Sequence, residues 1–428
     1  MLLVGCGSEE DIDPCDWRVC DIEEQSCVEA VAETVACQRE VDLVVPEVRF
    51  VTAEEVLFEW NADTPTPEQL ERQRQYIAAE ALVGLMPEAY EPTQATADQI
   101  ENIAAYYSRD GGGITIITDN DLDDPVDAYA LLVHEVVHAY QDASWDLDAL
   151  SEAHATTTDR FLGLRATIEG DASLYGNLAT LAALGLSPES VNWGEYFEGF
   201  QSTMLGYAKM TETPSIDALT LFPYAWGEAY VYPAWRRLDT AGPESVAHDP
   251  PDSVRQVMRG YPGEMRPDIN EDALLDPVAV PIVPGFVFVG GDHYSVWLVN
   301  AMLQRTAASP YSFVGEVDSV TADYLSALRH EESGAPVAVW RIRGGAALTG
   351  IIEDFESMWS TWDPNELRRS WHVVDDDIVL VAVGEGLEST VVFESIDGWH
   401  TPQAAYEAAG IDGSPRPHPI AITCAFHR

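Results

Sequence analysis

Pro125-Val126-Asp127-Ala128-Tyr129-Ala130-Leu131-Leu132-Val133-His134-Glu135-Val136-Val137-His138 is an apolar run closed by two histidines four positions apart. A run this apolar, opened by a proline, reads as a buried helix extending to about Gln141. On a helix, residues four apart lie one above the other on the same face. His134 and His138 therefore present two imidazoles to one point, a spacing suited to a zinc ion. Glu135, beside the first histidine, is placed to take a proton from a metal-activated water. That combination is the chemistry of zinc-assisted hydrolysis.

Zinc needs a third protein ligand and an open position. A metzincin continuation requires Gly at 141 and His at 144; the chain has Gln141 and Ser144. His154 lies in a polar segment with no supporting pattern. Glu169, in Ile168-Glu169-Gly170-Asp171-Ala172, stands 31 positions after His138 within the next helical stretch, about 157–184. Two histidines from one helix and a glutamate from the following antiparallel helix form the gluzincin arrangement. Gly170 and Ala172 are small enough to let the two helices approach closely. Gln141 and Asp142 fall one turn beyond His138, and Asp142 is the first choice to orient a ligand imidazole; Asp171 is the other. For the oxyanion of a tetrahedral intermediate, Tyr224 is the first candidate donor and His293 with Tyr294 the second.

The chain has 428 residues, with 73 Asp+Glu against 22 Lys+Arg and a net charge of −51; Lys209 is its single lysine. Such acidity repels a phosphate backbone and excludes nucleic-acid binding. With 12 Trp, 17 Tyr and 12 Phe, the chain is equipped to fold, so the acidity marks a salt-adapted surface. High ionic strength screens its self-repulsion. Asp119, Asp121 and Asp123 alternate as in a calcium loop, but Asp124 stands where an EF-hand needs glycine.

No segment is long and apolar enough to span a membrane; Val278 to Val289 is broken by Pro281 and Pro284. Leu3-Val4-Gly5-Cys6 resembles a bacterial lipobox, which implies a lipid anchor at Cys6. Cys15, Cys20, Cys27 and Cys37 cluster without a Cys-x-x-Cys pair, which predicts two disulfides in an exported protein, with three possible connectivities. Cys424 is left over. The expected organisation is a lipobox-like, disulfide-rich acidic leader over 1–45, a catalytic domain over 46–390 and a C-terminal extension over 391–428. Strands are predicted at Val48 to Val51, in a hairpin between 103 and 118, and at Val337 to Arg341 and Ile378 to Val383. Further helices are predicted at 66–85, 224–238 and 294–306.

Several blocks in order carry a family resemblance. They are His134-Glu135-Val136-Val137-His138-Ala139-Tyr140-Gln141-Asp142, Trp145-Asp146-Leu147, Glu169-Gly170-Asp171-Ala172, Pro223-Tyr224-Ala225-Trp226-Gly227, Pro250-Pro251-Asp252-Ser253 with Gln256, and Val339-Trp340-Arg341. Over roughly residues 80 to 385 the chain resembles a group of exported, often lipid-anchored HExxH zinc metallopeptidases of bacteria and haloarchaea. After Gln256 that group usually has Leu-His-Pro, where this chain has Val257-Met258-Arg259. The resemblance implies an α+β, gluzincin-like catalytic domain, in which the active-site helix and the Glu-bearing helix pack against a small mixed sheet. It implies Zn²⁺ on His134, His138 and Glu169, and a peptide or protein substrate at the cell envelope or outside the cell. The alternatives are an envelope lipoprotein that keeps a zinc site without turnover, and hydrolysis of a cell-wall amide.

Overall fold

The computed structural model describes residues 15–60, 65–101, 103–109, 112–120, 122, 124–260, 280–305, 320–344, 353, 356, 368–375 and 377–411. Cys6, Asp121, Asp123 and Cys424 lie outside them. In chain order the elements are α1 (Gln25–Arg39), β1 (Glu47–Val51), α2 (Ala53–Trp60), α3 (Pro67–Leu82), α4 (Gln94–Glu101), β2 (Ala105–Ser108), β3 (Gly113–Ile117), α5 (Pro125–Trp145), α6 (Leu147–His154), α7 (Thr158–Ala183), α8 (Trp193–Met210) and α9 (Pro214–Leu238). There follow α10 (Ala241–Ala247), α11 (Val254–Arg259), β4 (Val280–Ile282), β5 (Phe286–Asp292), α12 (Val296–Gln304), β6 (Ala322–His330), β7 (Pro336–Arg343), β8 (Arg369–Val374), β9 (Asp377–Val383), α13 (Ser389–Glu394), β10 (Gly398–His400) and α14 (Pro402–Ala408). The class is α+β.

Local chemistry sets the main helix starts. Thr66 caps α3 with a reciprocal capping box to Gln69, and Pro67 takes the first helical position. The Asp124 carboxylate accepts from Val126 N at the start of α5, and Thr157 accepts from Arg160 N at the start of α7. Asp124 thus has a helix-capping role, and Asp119 accepts from Ala53 N at 2.8 Å. Two of the acidic-loop carboxylates are therefore occupied by backbone donors.

The helix α9 begins ten residues before the predicted 224–238 and carries Pro223 and Pro233 inside it. A proline inside a helix costs about 3 kcal/mol. Burial of Phe222, Ala225, Trp226, Tyr230 and Val231 in the main core outweighs that cost.

The helices α5 and α7 run antiparallel. Ala130 O approaches Gly176 near one end of the pair, and Gln141 reaches Ile168 O near the other. The helix α7 is buried all round. Leu162, Ala166, Leu174 and Leu178 face a core shared with α9, while Leu164, Ile168, Ala172, Tyr175 and Ala179 face one shared with α5. Such a helix has little amphipathic signature. Gly170 serves α9 rather than α5: a Cβ on it would lie 2.2 Å from the backbone of Gly227. On the α5 side the close approach is made by Gly176, with Ala130 O at 3.1 Å from an ideal Cβ.

Beside α5 lies a three-stranded sheet of order β1-β3-β2, with β1 parallel and β2 antiparallel to β3. The predicted hairpin is this β2–β3 pair. A second sheet, of order β5-β6-β7-β9-β8, is antiparallel throughout. Its strands alternate: Ala338, Trp340 and Ile342 face the main core with α3 and α12, while Val337 and Val339 face a smaller one with α13.

Two disulfides, Cys15–Cys37 and Cys20–Cys27, resolve the three possible connectivities. Such bonds persist in oxidising compartments, which points away from the cytoplasm. The segment they staple packs directly on α5. Val28, Val31, Ala32 and Val35 of α1 share a core with Val133, Val136 and Val137. No helix among the described residues is long and apolar enough to cross a membrane.

Candidate metal centre

The helix pair α5–α7 brings His134, His138 and Glu169 together, with donor atoms within 4.8 Å of one another. His134 Nε2 and His138 Nε2 are 3.0 Å apart, and Glu169 Oε2 lies 3.3 and 3.4 Å from them. Four donors held tetrahedrally at the usual zinc bond lengths of about 2.0–2.1 Å are separated by roughly 3.3 Å. The three observed separations match the edges of that tetrahedron. Glu169 Oε2 is buried and meets no hydrogen-bonding geometry. The donor set of two imidazoles and one carboxylate suits zinc, so the residues fit a divalent cation at this point.

The electrostatics agree. Burial alone would lower the His138 imidazole and raise the Glu169 carboxyl. Their mutual attraction wins, moving His138 up to about 9 and Glu169 well below the usual carboxylate range. The pocket favours positive charge between these groups.

Groups behind the ligands fix their orientation. Gln141 Nε2 donates to Ile168 O and to Asp171 Oδ2, both at 2.9 Å. That assigns its amide: Oε1 faces His138 and accepts from Nδ1–H at 2.8 Å. A proton is then held on Nδ1, which leaves Nε2, facing Glu169 and His134, as the nitrogen that would bind a cation. On α7, Arg165 lies one turn before Glu169 and donates to Oε1 at 3.3 Å, leaving Oε2 to face the histidines. Arg165 and Arg39 are absent from the sequence reading. The four-residue spacing of Arg165 to Glu169 was a usable signal for the first; nothing local marks the second.

Asp142 does not hold a ligand imidazole. It accepts from the Tyr107 hydroxyl of β2 at 3.0 Å. Asp171, two residues beyond Glu169, stands behind Gln141 and pairs with Arg39 at 2.6 Å.

Glu135 is buried, and its Oε2 has no hydrogen-bond partner. Burial raises its pKa, partly offset by His138 and His134 and by a backbone hydrogen bond from Tyr107. It is thus next to the donor triangle and to the edge strand β2. The half-buried Tyr224 ring stacks beside His134 at 6.2 Å between centroids.

His293 is elsewhere. Its carbonyl accepts from Asp159 N at 3.0 Å, in the first turn of α7. Glu169 is ten residues further along that helix, a rise of about 15 Å. The His293 Nδ1 meets Asp323 at 2.8 Å, and Trp340 Nε1 meets the same carboxylate at 2.9 Å. Tyr294 meets Glu80 and Tyr76. These groups lock β5, β6 and β7 against α7. The Pro250-Pro251-Asp252-Ser253 block has a similar place: Val254 N donates to Asp159, and Pro251 O would lie 2.6 Å from a Cβ on Gly163.

No protein-family model matches the chain, and no curated protein and no solved structure matches it.

Proposed function

We propose that this protein is a zinc-dependent metallopeptidase of gluzincin type, acting at the cell envelope or outside the cell. The observation that carries this reading is the tetrahedral-edge spacing of His134, His138 and Glu169 with the buried Glu135 carboxylate beside it, whose Oε2 has no hydrogen-bond partner. A purely structural metal site has no use for that carboxylate.

Bound on these three residues, zinc would polarise a carbonyl and lower the pKa of a water. Glu135 accepts the proton of the attacking water and returns it to the leaving amine. Its desolvated setting, which raises its affinity for a proton, suits both halves of that shuttle. Tyr224, beside His134, supplies a hydroxyl towards the developing oxyanion. Gln141 holds His138 in its ligating tautomer throughout. An extended peptide would run along the outer edge of β2, whose residue Tyr107 also touches Glu135 and Asp142.

The two disulfides support an exported protein, and the lipobox-like start adds a membrane tether at Cys6. Metabolic lipid labelling of the full-length gene product tests the tether; absence of label removes it.

The decisive comparison is wild type against Glu135→Gln on a peptide library in high salt, with the zinc content of both measured. The variant retains its zinc and loses turnover by a factor on the order of 10²–10⁴. Equal rates would refute the mechanism, and a wild type without zinc would refute the class.

A further inference from the structure

We infer that the disulfide-stapled N-terminal segment is part of the metal centre: Arg39, acting through Asp171 and Gln141, positions the ligand His138. The inference rests on the reading of His134, His138 and Glu169 as a metal site.

A continuous chain of buried polar contacts joins the two ends. Arg39 Nη2 donates to Asp171 Oδ1 at 2.6 Å, Gln141 Nε2 donates to Asp171 Oδ2 at 2.9 Å, and His138 Nδ1 donates to Gln141 Oε1 at 2.8 Å. The Arg39 and Asp171 side chains are 1% and 0% exposed, so water does not substitute for either. The guanidinium is also held over the rings of Tyr140 and Tyr175, at 4.5 and 3.9 Å. Tyr140 precedes Gln141 on α5, and Tyr175 is one turn after Asp171 on α7. The cation is clamped between the two helices that carry the ligands.

The direction of each hydrogen bond gives the chain its effect. A glutamine amide is nearly symmetric in shape but not in chemistry. Its oxygen lets His138 keep a proton on Nδ1 and offer Nε2 to a cation. A flipped amide would present N–H to Nδ1 and force the proton onto Nε2, which cannot then ligate. Ile168 O and the Asp171 carboxylate hold the amide in the ligating sense by accepting both of its N–H groups. Arg39 donates to the other oxygen of the same buried carboxylate, so both of its oxygens are occupied.

Arg39 stands at the last position of α1, two residues after Cys37. The Cys15–Cys37 disulfide and the bond from Gln38 Nε2 to Cys15 O fix this end of the helix. The rest of α1 is anchored on α5 through Val28, Val31 and Val35. The leader is thus built to deliver one cation to one buried carboxylate behind the metal ligands.

The test uses full-length protein loaded with Co²⁺ or Zn²⁺, with chelator competition for affinity and the visible spectrum of the Co²⁺ form for ligand geometry. Arg39→Met combined with Asp171→Asn removes the pair without stranding a buried charge. It is expected to weaken metal binding by about tenfold to a hundredfold, the usual effect of removing a group that orients a ligand. It also shifts the Co²⁺ spectrum. Gln141→Leu should do the same. Val31→Ala, which loosens α1 without touching the chain of contacts, lowers the melting temperature and leaves affinity and spectrum unchanged. If the double variant binds metal as wild type does while Gln141→Leu does not, Arg39 has no positioning role. If Val31→Ala weakens binding as much as the double variant, the leader acts only through general stability and the inference falls. A wild type that takes up no metal overturns the metal site itself, and with it this inference.

Discussion

Glu228→Gln offers a stability test whose sign and size follow from the structure. Glu228 lies on α9 and is 2% exposed. Asn177 Nδ2 donates to its Oε2 at 2.8 Å, and Oε1 has no partner. Burial raises its carboxyl to about 7, against an ordinary 4.5; the hydrogen bonds from Asn177 and Tyr196 recover only part. Below pH 4.5 the group is protonated in both folded and unfolded chains and contributes no penalty. As pH rises from 4.5 to about 7, the unfolded chain ionises and the folded one does not, so wild-type stability falls. Above about 7 both are ionised and the penalty is constant. Roughly 2.5 pH units separate the two values, worth about 3 kcal/mol. Glutamine keeps the acceptor for Asn177 and removes the titration.

The measurement is urea unfolding of both proteins by tryptophan fluorescence, at fixed high salt, from pH 4.5 to 8. The chain carries 73 acidic residues, so wild-type stability alone would report on all of them. The difference between variant and wild type isolates Glu228. It should rise from near zero at pH 4.5 to about 3 kcal/mol in favour of glutamine at pH 8. A difference that stays flat across that range would mean Glu228 is not held in a desolvated state, and the packing of α9 against α7 described above would be wrong.

Two further predictions concern the same helix. Gly227→Ala places a Cβ 2.2 Å from Ala166 O, a backbone atom that cannot rotate away. It should cost at least about 1–3 kcal/mol in chemical denaturation, and no loss of stability would contradict the contact. Tyr224→Phe should lower kcat by about a hundredfold, with KM and zinc content little changed, as expected for loss of one oxyanion donor. An unchanged kcat would remove Tyr224 from the mechanism.

The parts of the fold legible in the sequence are those set by local periodicity. The two histidines of α5 and the carboxylate of α7 could be read because i, i+4 spacing and helix length place them. The β2–β3 pair and the α3 cap carried their own turn and capping signals. The strand β6 escaped because Asp323, Ser326 and Arg329 interrupt its apolar pattern; the first two are buried, and Asp323 serves His293 and Trp340. The early start of α9 escaped because Pro214 and Pro223 read as breakers. The leader was read from its cysteines and acidity, although Val28, Val31, Ala32 and Val35 repeat at helical spacing. What no local pattern could give is the meeting of residues far apart in the chain. Arg39 and Asp171 are separated by 132 positions, and neither neighbourhood announces the other.

Glu169-Gly170-Asp171 shows why such a short block reaches so far. Consecutive residues on a helix are turned by about 100° from one another, so three in a row address three different directions. Glu169 faces α5 and its histidines. Gly170, one step round, lets the backbone of α9 come within the space a Cβ would fill. Asp171, a further step, meets Arg39 of α1 and the amide of Gln141. Each needs its own chemistry there: a carboxylate for a cation, no side chain for a backbone contact, a second carboxylate for a guanidinium. This requires a helix buried on every side, and α7 is buried around its whole circumference at these positions. The same burial hides the block from any search for an amphipathic stripe. It also couples the three neighbours, because α7 cannot rotate to relieve strain at one contact without losing the other two. A one-residue insertion before Glu169 would turn all three residues by about 100° and break the metal triangle, the α9 contact and the Arg39 pair together.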